Sequence, residues 1–195
     1  MGKSLPGDDA FTLTELLVVI AIIAVLAAIA VPSLQAMMAR GRDARCASNL
    51  MALGAGVHAF CADNNGLFPN PRPTSGKTEE YWHRQISTYL GATNFDAFTG
   101  RPKMNNVFLC PSDANPYYDK ISYGMNSNLF RKRIAQATRP GAMMIADSSN
   151  PSLIPQREKT NHGIHVHFLR VDGSFAKATN LGTPVSAPEI WLISR

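Results

Sequence analysis

Three histidines near the C-terminus are the residues best suited to metal chemistry. His162, His165 and His167 lie in the stretch NHGIHVHFLRVDG. On a strand, His165 and His167 point to the same face, and two imidazoles on one face can bind zinc or copper. A site also needs a third ligand and supporting hydrogen bonds. No carboxylate or cysteine stands at a diagnostic spacing, so we predict no metal site. His165 and His167 remain as weak candidates for metal ligands. We expect His162 to cap a turn or to bond to backbone near the next hairpin.

Three carboxylates close predicted strands or turns. Asp113, Asp119 and Asp147 could place oxygen ligands around calcium, but none belongs to an EF-hand pattern, so no ligand is assigned. The chain also lacks a nucleophile elbow, a phosphate loop, a zinc-hydrolase helix and a dinucleotide fingerprint. These absences predict a protein that is not an enzyme and carries no cofactor, with calcium left open.

The number of cysteines does not indicate a disulfide framework, because three cysteines cannot all be paired. There are three, Cys46, Cys61 and Cys110. Cys46 and Cys61 fall on one predicted helix, where fifteen residues separate them by about 22 Å, far beyond bridging distance. The pairing left open is Cys110 with one of the other two.

An apolar run near the N-terminus is the strongest signal in the chain. No residue from Leu16 to Ala39 is charged, and a helix of this length reaches about 36 Å, enough to cross a bilayer core of about 30 Å. Its Leu, Ile and Val residues favour insertion by about 5 kcal/mol, more than Glu15 costs near the end of the run. The same run is compatible with a cleaved secretory signal, with Ala28–Ala30 as its small-residue site, or with a plain anchor that leaves Glu15 unexplained.

This N-terminus resembles the type IV prepilin family, which includes the pseudopilins of type II secretion. The resemblance rests on DDA followed by FTLTELLVVIAIIAVLAAIAVP, with Glu15 at the fifth place of the apolar run. It differs from the family in having Ala10 where Gly is usual and Thr14 where an aliphatic residue is usual. The resemblance implies that a prepilin peptidase cuts between Ala10 and Phe11 and that the new amine of Phe11 is N-methylated.

The resemblance also implies partners, orientation and a role for the acid. In the family, the acid matching Glu15 pairs with the terminal amine of a neighbouring subunit, so we expect it to act in assembly. Arg40, Arg42 and Arg45 follow the span, and a count of loop charges would place the C-terminal part in the cytoplasm. The family places that part outside, and we follow it. The expected partners are the peptidase and methyltransferase, other pilin or pseudopilin subunits and an inner-membrane assembly platform.

The remaining sequence predicts an α+β fold, and the resemblance implies that this fold is type IV pilin-like. Its predicted parts are a cleaved leader (1–10), a transmembrane and fibre-core helix (11–39), an amphipathic continuation of that helix (40–64) and an extracytoplasmic domain (65–195). An apolar stripe runs along the continuation, and a helix with one apolar face must pack against another layer, most simply a small antiparallel sheet. The stripe consists of Cys46, Leu50, Leu53, Val57 and Phe60.

Several short segments supply the rest of that domain. YWHRQISTYL predicts a short amphipathic helix, while NVFLCPSD, ISYGMNS and GAMMIADSS predict strands. Asp172-Gly173, between HFLRV and SFAKA, predicts a two-residue hairpin turn. His162, nine intervening residues and then Asp172-Gly173 match a C-terminal motif of many prepilin-like proteins, which FLCPSD and SYGMN also resemble. No biochemical role follows from the motif.

Charge does not identify a polyanion partner. The net charge is +5 and the sequence pI about 9.3. The tight basic cluster is Arg131–Arg133, with Arg139 nearby, and a solvated face is the simpler interpretation. We predict a structural subunit of a pseudopilus or pilus in the inner membrane, extending into a periplasmic or surface fibre. The rivals are a membrane-anchored metal-binding or hydrolytic domain using the C-terminal histidines, and an adhesive or DNA-binding minor pilin.

Overall fold

The computed structural model describes most of the central part of the chain. The described residues are 12–71, 80–91, 106–117, 121–137, 139, 141–148, 152–153, 162 and 165–179. The predicted leader, Ala10, Phe11 and Asp119 lie outside them. The chain divides into two compact units, residues 1–40 and 41–195. The main elements are the helices α1 (Leu13–Asp63) and α2 (Trp82–Gln85) and the strands β1 (Tyr123–Asn126), β2 (Met143–Asp147), β3 (Ser152–Leu153), β4 (His165–Arg170) and β5 (Phe175–Thr179).

A capping box starts α1. The Glu15 backbone N–H donates to Thr12 Oγ1 at 3.3 Å, and Glu15 Oε2 accepts from the Thr12 backbone N–H at 2.9 Å and from the Thr12 hydroxyl at 2.7 Å. This is the reciprocal arrangement that a Thr-x-x-Glu sequence makes at a helix N-terminus. The acid therefore has a local role in helix initiation.

The part of α1 in the first unit leaves its apolar side chains exposed. Leu17, Ile23 and Leu26 are each more than half accessible. Among the described residues, α1 is the one helix long and apolar enough to cross a membrane. Such an unpacked surface is stable only in lipid or against other apolar helices.

The part of α1 in the second unit has the predicted stripe. Cys46, Leu50, Leu53 and Val57 are fully buried, and Phe60 packs at the edge of the same core. The helix ends as predicted in the Asn-Asn-Gly turn. Asn65 has a positive φ of 54° and the Gly66 N–H donates to the Cys61 carbonyl at 2.7 Å, which is the Schellman arrangement.

The sheet has five strands in the order β3-β1-β2-β4-β5. Four of them pair antiparallel, as predicted, and the two-residue β3 adds a parallel edge to β1. The main core contains the α1 stripe with Tyr123, Met125 and Leu169, while Met143, Val166 and Phe168 belong to a second cluster. Gly54 marks the closest approach of α1 to the sheet, because a Cβ there would overlap the Leu169 side chain.

Two local predictions need correction. The sequence predicts a strand for NVFLCPSD, but Asn106–Phe108 is a 3-10 helix. The carbonyls of this segment bond outside any ladder, since Leu109 O accepts from the Asn49 side chain and Phe108 O accepts from the Ser122 N–H.

The β4–β5 hairpin has the predicted position but a longer turn. Leu169 pairs with Phe175, and the Arg170 N–H donates to the Ser174 carbonyl, so residues 171–173 connect the strands. Gly173, with φ 84°, occupies the left-handed position that such three-residue connections require.

Candidate functional site

A cluster of side chains from several separate segments lies around His162. We call it the His162 cluster: Asp43 from α1, Cys110 from the turn after residues 106–108, Asp147 from the end of β2, His167 from β4, and His162 itself. The side chains of His162 and Asp147 are 1% and 0% exposed, while that of Asp43 is 38% exposed. The cluster is therefore a buried polar site with one acid reaching towards solvent.

The imidazole of His162 contacts three side chains. Nδ1 lies 2.5 Å from Asp43 Oδ1, and Nε2 lies 3.3 Å from Cys110 Sγ and 3.7 Å from Asp147 Oδ2. The expectation that this ring caps a turn or bonds to backbone near the hairpin is wrong. Its role is to join α1, the Cys110 turn and β2, with carboxylates on both sides of the ring.

His167 stacks on His162 inside the cluster. The two ring centroids are 3.8 Å apart and the planes differ by 19°, and Phe175 contacts the His167 ring edge-on. Burial is the main cause that lowers the pKa of His167 to about 4, and the neighbouring His162 ring adds to the effect. His167 is therefore neutral at pH 7, and its backbone N–H donates to Asp147 Oδ2 at 2.8 Å. Its position in the sheet also fixes the orientation of the Asp147 carboxylate.

His165 and His167, the pair that the sequence left as weak metal candidates, do not occur together in either potential metal group of the described residues. Among the described residues, two groups could hold a metal: Cys46, Cys110 and His162, or Asp43, His162 and His167. His165 belongs to neither group. Its backbone N–H donates to the His162 carbonyl at 3.4 Å, which positions the chain entering β4.

The cysteine pairing left open by the sequence is between Cys46 and Cys110. They form a disulfide with a Cα–Cα distance of 5.0 Å, within the normal range. It links α1 to the turn before β1, and both residues are buried. Cys61 is a free, buried thiol, and burial raises its pKa to about 11.

The other half of the His162–Gly173 motif lies in an exposed turn. Asp172 Oδ1 accepts from the Ser174 N–H at 2.8 Å, and the hydrogen bonds with Ser174 lower the pKa of Asp172. With Gly173 in the left-handed region, the Asp-Gly pair shapes the hairpin. His162 and Asp172-Gly173 thus serve different local structures.

The expectation of no cofactor, with calcium left open, stays a prediction. Asp113 Oδ1 accepts from the Asn115 N–H at 3.0 Å, which is a local turn bond, and Asp147 belongs to the His162 cluster. Asp119 lies outside the described residues. The described carboxylates of this set therefore have structural partners of their own.

Asp43 and Cys110 were missed as partners of His162. They are 119 and 52 residues away from it in sequence. The one signal available was that Asp43 and Cys46 lie one helical turn apart on α1 and so face the same side. Nothing local pointed from that turn to His162.

Comparison with known proteins gives one match. Residues 7–31 match the family model described as the prokaryotic N-terminal methylation motif. No curated protein and no solved structure matches the chain. The match covers the start of α1, including Thr12 and Glu15, and supports assignment to the type IV prepilin-like proteins.

Proposed function

We propose that this chain is the precursor of a structural subunit of a pilus-like fibre or secretion pseudopilus. The observation that carries the proposal is the methylation motif at residues 7–31 followed by a long helix with exposed apolar side chains. In the proposed pathway, a prepilin peptidase cuts between Ala10 and Phe11, and the Phe11 amine is methylated. The helix then leaves the bilayer as it packs against neighbouring subunits, so that apolar burial replaces lipid contact.

We place the second unit outside the cytoplasm. The Cys46–Cys110 disulfide supports this orientation, since such bonds persist in oxidising compartments and are rare in the cytosol. We give the disulfide more weight than the positive charges of Arg40, Arg42 and Arg45, which would place this unit in the cytoplasm. The membrane in question is the inner one, with the fibre extending from it, and the proposed partners are other pilin or pseudopilin subunits and an assembly platform.

Glu15 has two roles to separate. In the family it pairs with a neighbouring subunit's terminal amine, while here it also closes the capping box with Thr12. Glutamine can serve in a capping box but carries no charge. Glu15→Gln therefore keeps helix initiation and removes the ion pair, whereas Glu15→Ala removes both.

The experiment compares assembly of these two variants in cells. We expect both to insert in the membrane and lose their N-terminal ten residues normally, yet to give no sheared or secreted fibre fraction on immunoblots. Normal fibre yield from Glu15→Gln would show that capping suffices and would exclude the pairing role. The matched control is Thr12→Ala, which weakens the cap and leaves the acid in place. It is expected to assemble.

The rival of a DNA-binding or adhesive minor pilin rests on the basic cluster. Arg133 Nη1 donates to the Asn65 carbonyl at 3.1 Å, and the Arg131 guanidinium lies 4.9 Å from the centre of the Phe130 ring. Both contacts give these cations a structural use near the helix end. Binding to DNA that survives neutralisation of Arg131–Arg133 would count against that rival.

A further inference from the structure

The His162 cluster brings potential metal ligands from Cys46, Cys110 and His162 within 4.8 Å of one another. His162 Nε2 lies 3.3 Å from Cys110 Sγ and 3.7 Å from Asp147 Oδ2, and Cys110 is joined to Cys46. All these side chains are buried. Sulfur, imidazole nitrogen and carboxylate oxygen are the atoms that bind zinc.

One of these distances, from His162 Nε2 to Cys110 Sγ, fits an edge of a zinc tetrahedron. With Zn–S about 2.3 Å and Zn–N about 2.05 Å, a tetrahedral site separates sulfur from nitrogen by about 3.5 Å and nitrogen from oxygen by about 3.4 Å. The observed distance from Nε2 to Sγ is close to the first value, and Asp147 lies outside the group formed by the two sulfurs and this nitrogen. Once the covalent bond between Cys46 and Cys110 is broken, the two sulfurs can separate to the required distance of about 3.8 Å.

Asp43 completes the arrangement from the other side of the ring. Its Oδ1 lies 2.5 Å from His162 Nδ1. Histidines that bind metal through one nitrogen usually donate the other N–H to a carboxylate, which fixes the tautomer and the ring orientation. With the proton on Nδ1, the Nε2 lone pair faces Cys110 Sγ, so that both atoms are available to one zinc ion once the disulfide is reduced.

The second group of potential ligands fits less well. His162 and His167 are stacked, with planes 19° apart, so their in-plane lone pairs run nearly parallel rather than converging on one ion. Asp43, His162 and His167 could share a metal only after one ring rotates away from its partner. The stacked His167 instead acts as a wall of the site, and its backbone N–H orients Asp147.

We propose that the reduced protein binds one zinc ion through Cys46, Cys110 and His162, with water in the fourth position and with Asp43 orienting His162. The disulfide and the metal are then alternative cross-links between α1 and the Cys110 turn. An external dithiol supplies two electrons and two protons to the disulfide and becomes a disulfide itself. Zinc then displaces the two thiol protons. An oxidising disulfide partner drives the reverse exchange and releases the ion.

The test uses the full chain in detergent, either oxidised or reduced with a phosphine under anaerobic conditions. Each form is mixed with zinc, desalted and analysed for metal content, with circular dichroism confirming that the fold is kept. We expect about one zinc per reduced chain and almost none per oxidised chain. Cobalt in place of zinc is expected to give thiolate-to-cobalt charge-transfer bands and the strong visible bands of a tetrahedral site.

Matched variants separate this site from other thiols and histidines. His162→Ala is expected to abolish stoichiometric binding, and Asp43→Asn to weaken it by about 10- to 100-fold as loss of an orienting carboxylate does. Cys61→Ala removes the remaining thiol, and His165→Ala removes a histidine outside the cluster. Both variants are expected to bind zinc like the wild type.

Several results would overturn the proposal. They are a folded, reduced wild type without zinc, equal binding by the oxidised chain, or cobalt bands that survive His162→Ala or vanish in Cys61→Ala. Should His162→Ala fail to fold, the wild-type cobalt spectrum and the Asp43→Asn affinity still decide the matter. Octahedral cobalt without charge-transfer bands refutes thiolate ligation, and unchanged affinity in Asp43→Asn refutes the orienting role.

Discussion

Reduction of the Cys46–Cys110 disulfide should strongly destabilise the second unit. The bond closes a loop across 64 residues of sequence separation, and it joins α1 to the turn that precedes β1. The loop-closure relation for a chain of this length gives about 4 kcal/mol of stabilisation at 25 °C, because the cross-link restricts the unfolded chain. A loss of this size is a large fraction of the stability of an ordinary domain.

Equilibrium unfolding in urea measures the loss. Trp82 is fully buried in the core, so tryptophan fluorescence together with circular dichroism follows the transition of the folded unit. The oxidised and the phosphine-reduced wild type are compared with a metal chelator present, so that both have the same side chains and neither holds an ion. With a slope of about 2 kcal/mol per molar urea, the midpoint should fall by about 2 M on reduction.

The control is the Cys46→Ala/Cys110→Ala chain, which has no bond to reduce. Its midpoint should lie near that of the reduced wild type and should not respond to the phosphine. A shift below about 0.5 M in the wild type, equivalent to about 1 kcal/mol, would refute the reasoning. It would mean that the bond does not restrict the unfolded chain as the loop length requires.

Two further predictions concern the core. Burial lowers the pKa of His83 to about 3 from an unfolded value of 6.5. Below pH 6.5 the unfolded chain binds a proton that the folded chain excludes, so the free energy of unfolding is highest above pH 6.5 and decreases as the pH falls towards 3. From pH 7 to pH 5 this loss is about 2 kcal/mol, and His83→Phe should remove that part of the pH dependence in urea titrations; an unchanged slope would contradict the assignment. Gly54→Ala should destabilise by about 1 kcal/mol, since its Cβ overlaps the Leu169 side chain, whereas Gly41→Ala, with open space around it on the same helix, should stabilise by up to about 1 kcal/mol. Equal effects of the two substitutions would show that α1 does not approach the sheet closely at Gly54.

Local patterns predicted the regular elements well. The uncharged run, the stripe from Cys46 to Phe60 and the Asn-Asn-Gly stop each depend on residues a few positions apart, and α1 has all three features. The apolar segments ending in Asn126 and Asp147 became the central strands β1 and β2 for the same reason. Periodicity and turn chemistry act over the same short distances that these elements span.

Contacts between distant segments could not be predicted. NVFLCPSD has the apolar character of a strand, but the disulfide and the Asn49 side chain hold it against α1, and its carbonyls bond elsewhere. The His162 cluster depends on the same packing, because Asp43 approaches His162 only when α1 lies on the sheet. Sequence spacing therefore pointed to His165 as a possible metal ligand, whereas in the folded chain Asp43 and Cys110 are the neighbours of His162.

The N-terminus of the mature protein tests the central proposal most directly. Intact mass and N-terminal sequencing of the chain purified from its native membrane should give a protein that starts at N-methylated Phe11, with residues 1–10 removed. A chain that keeps Met1, or one that starts at Val31 after a cut behind Ala30, would contradict processing as a prepilin.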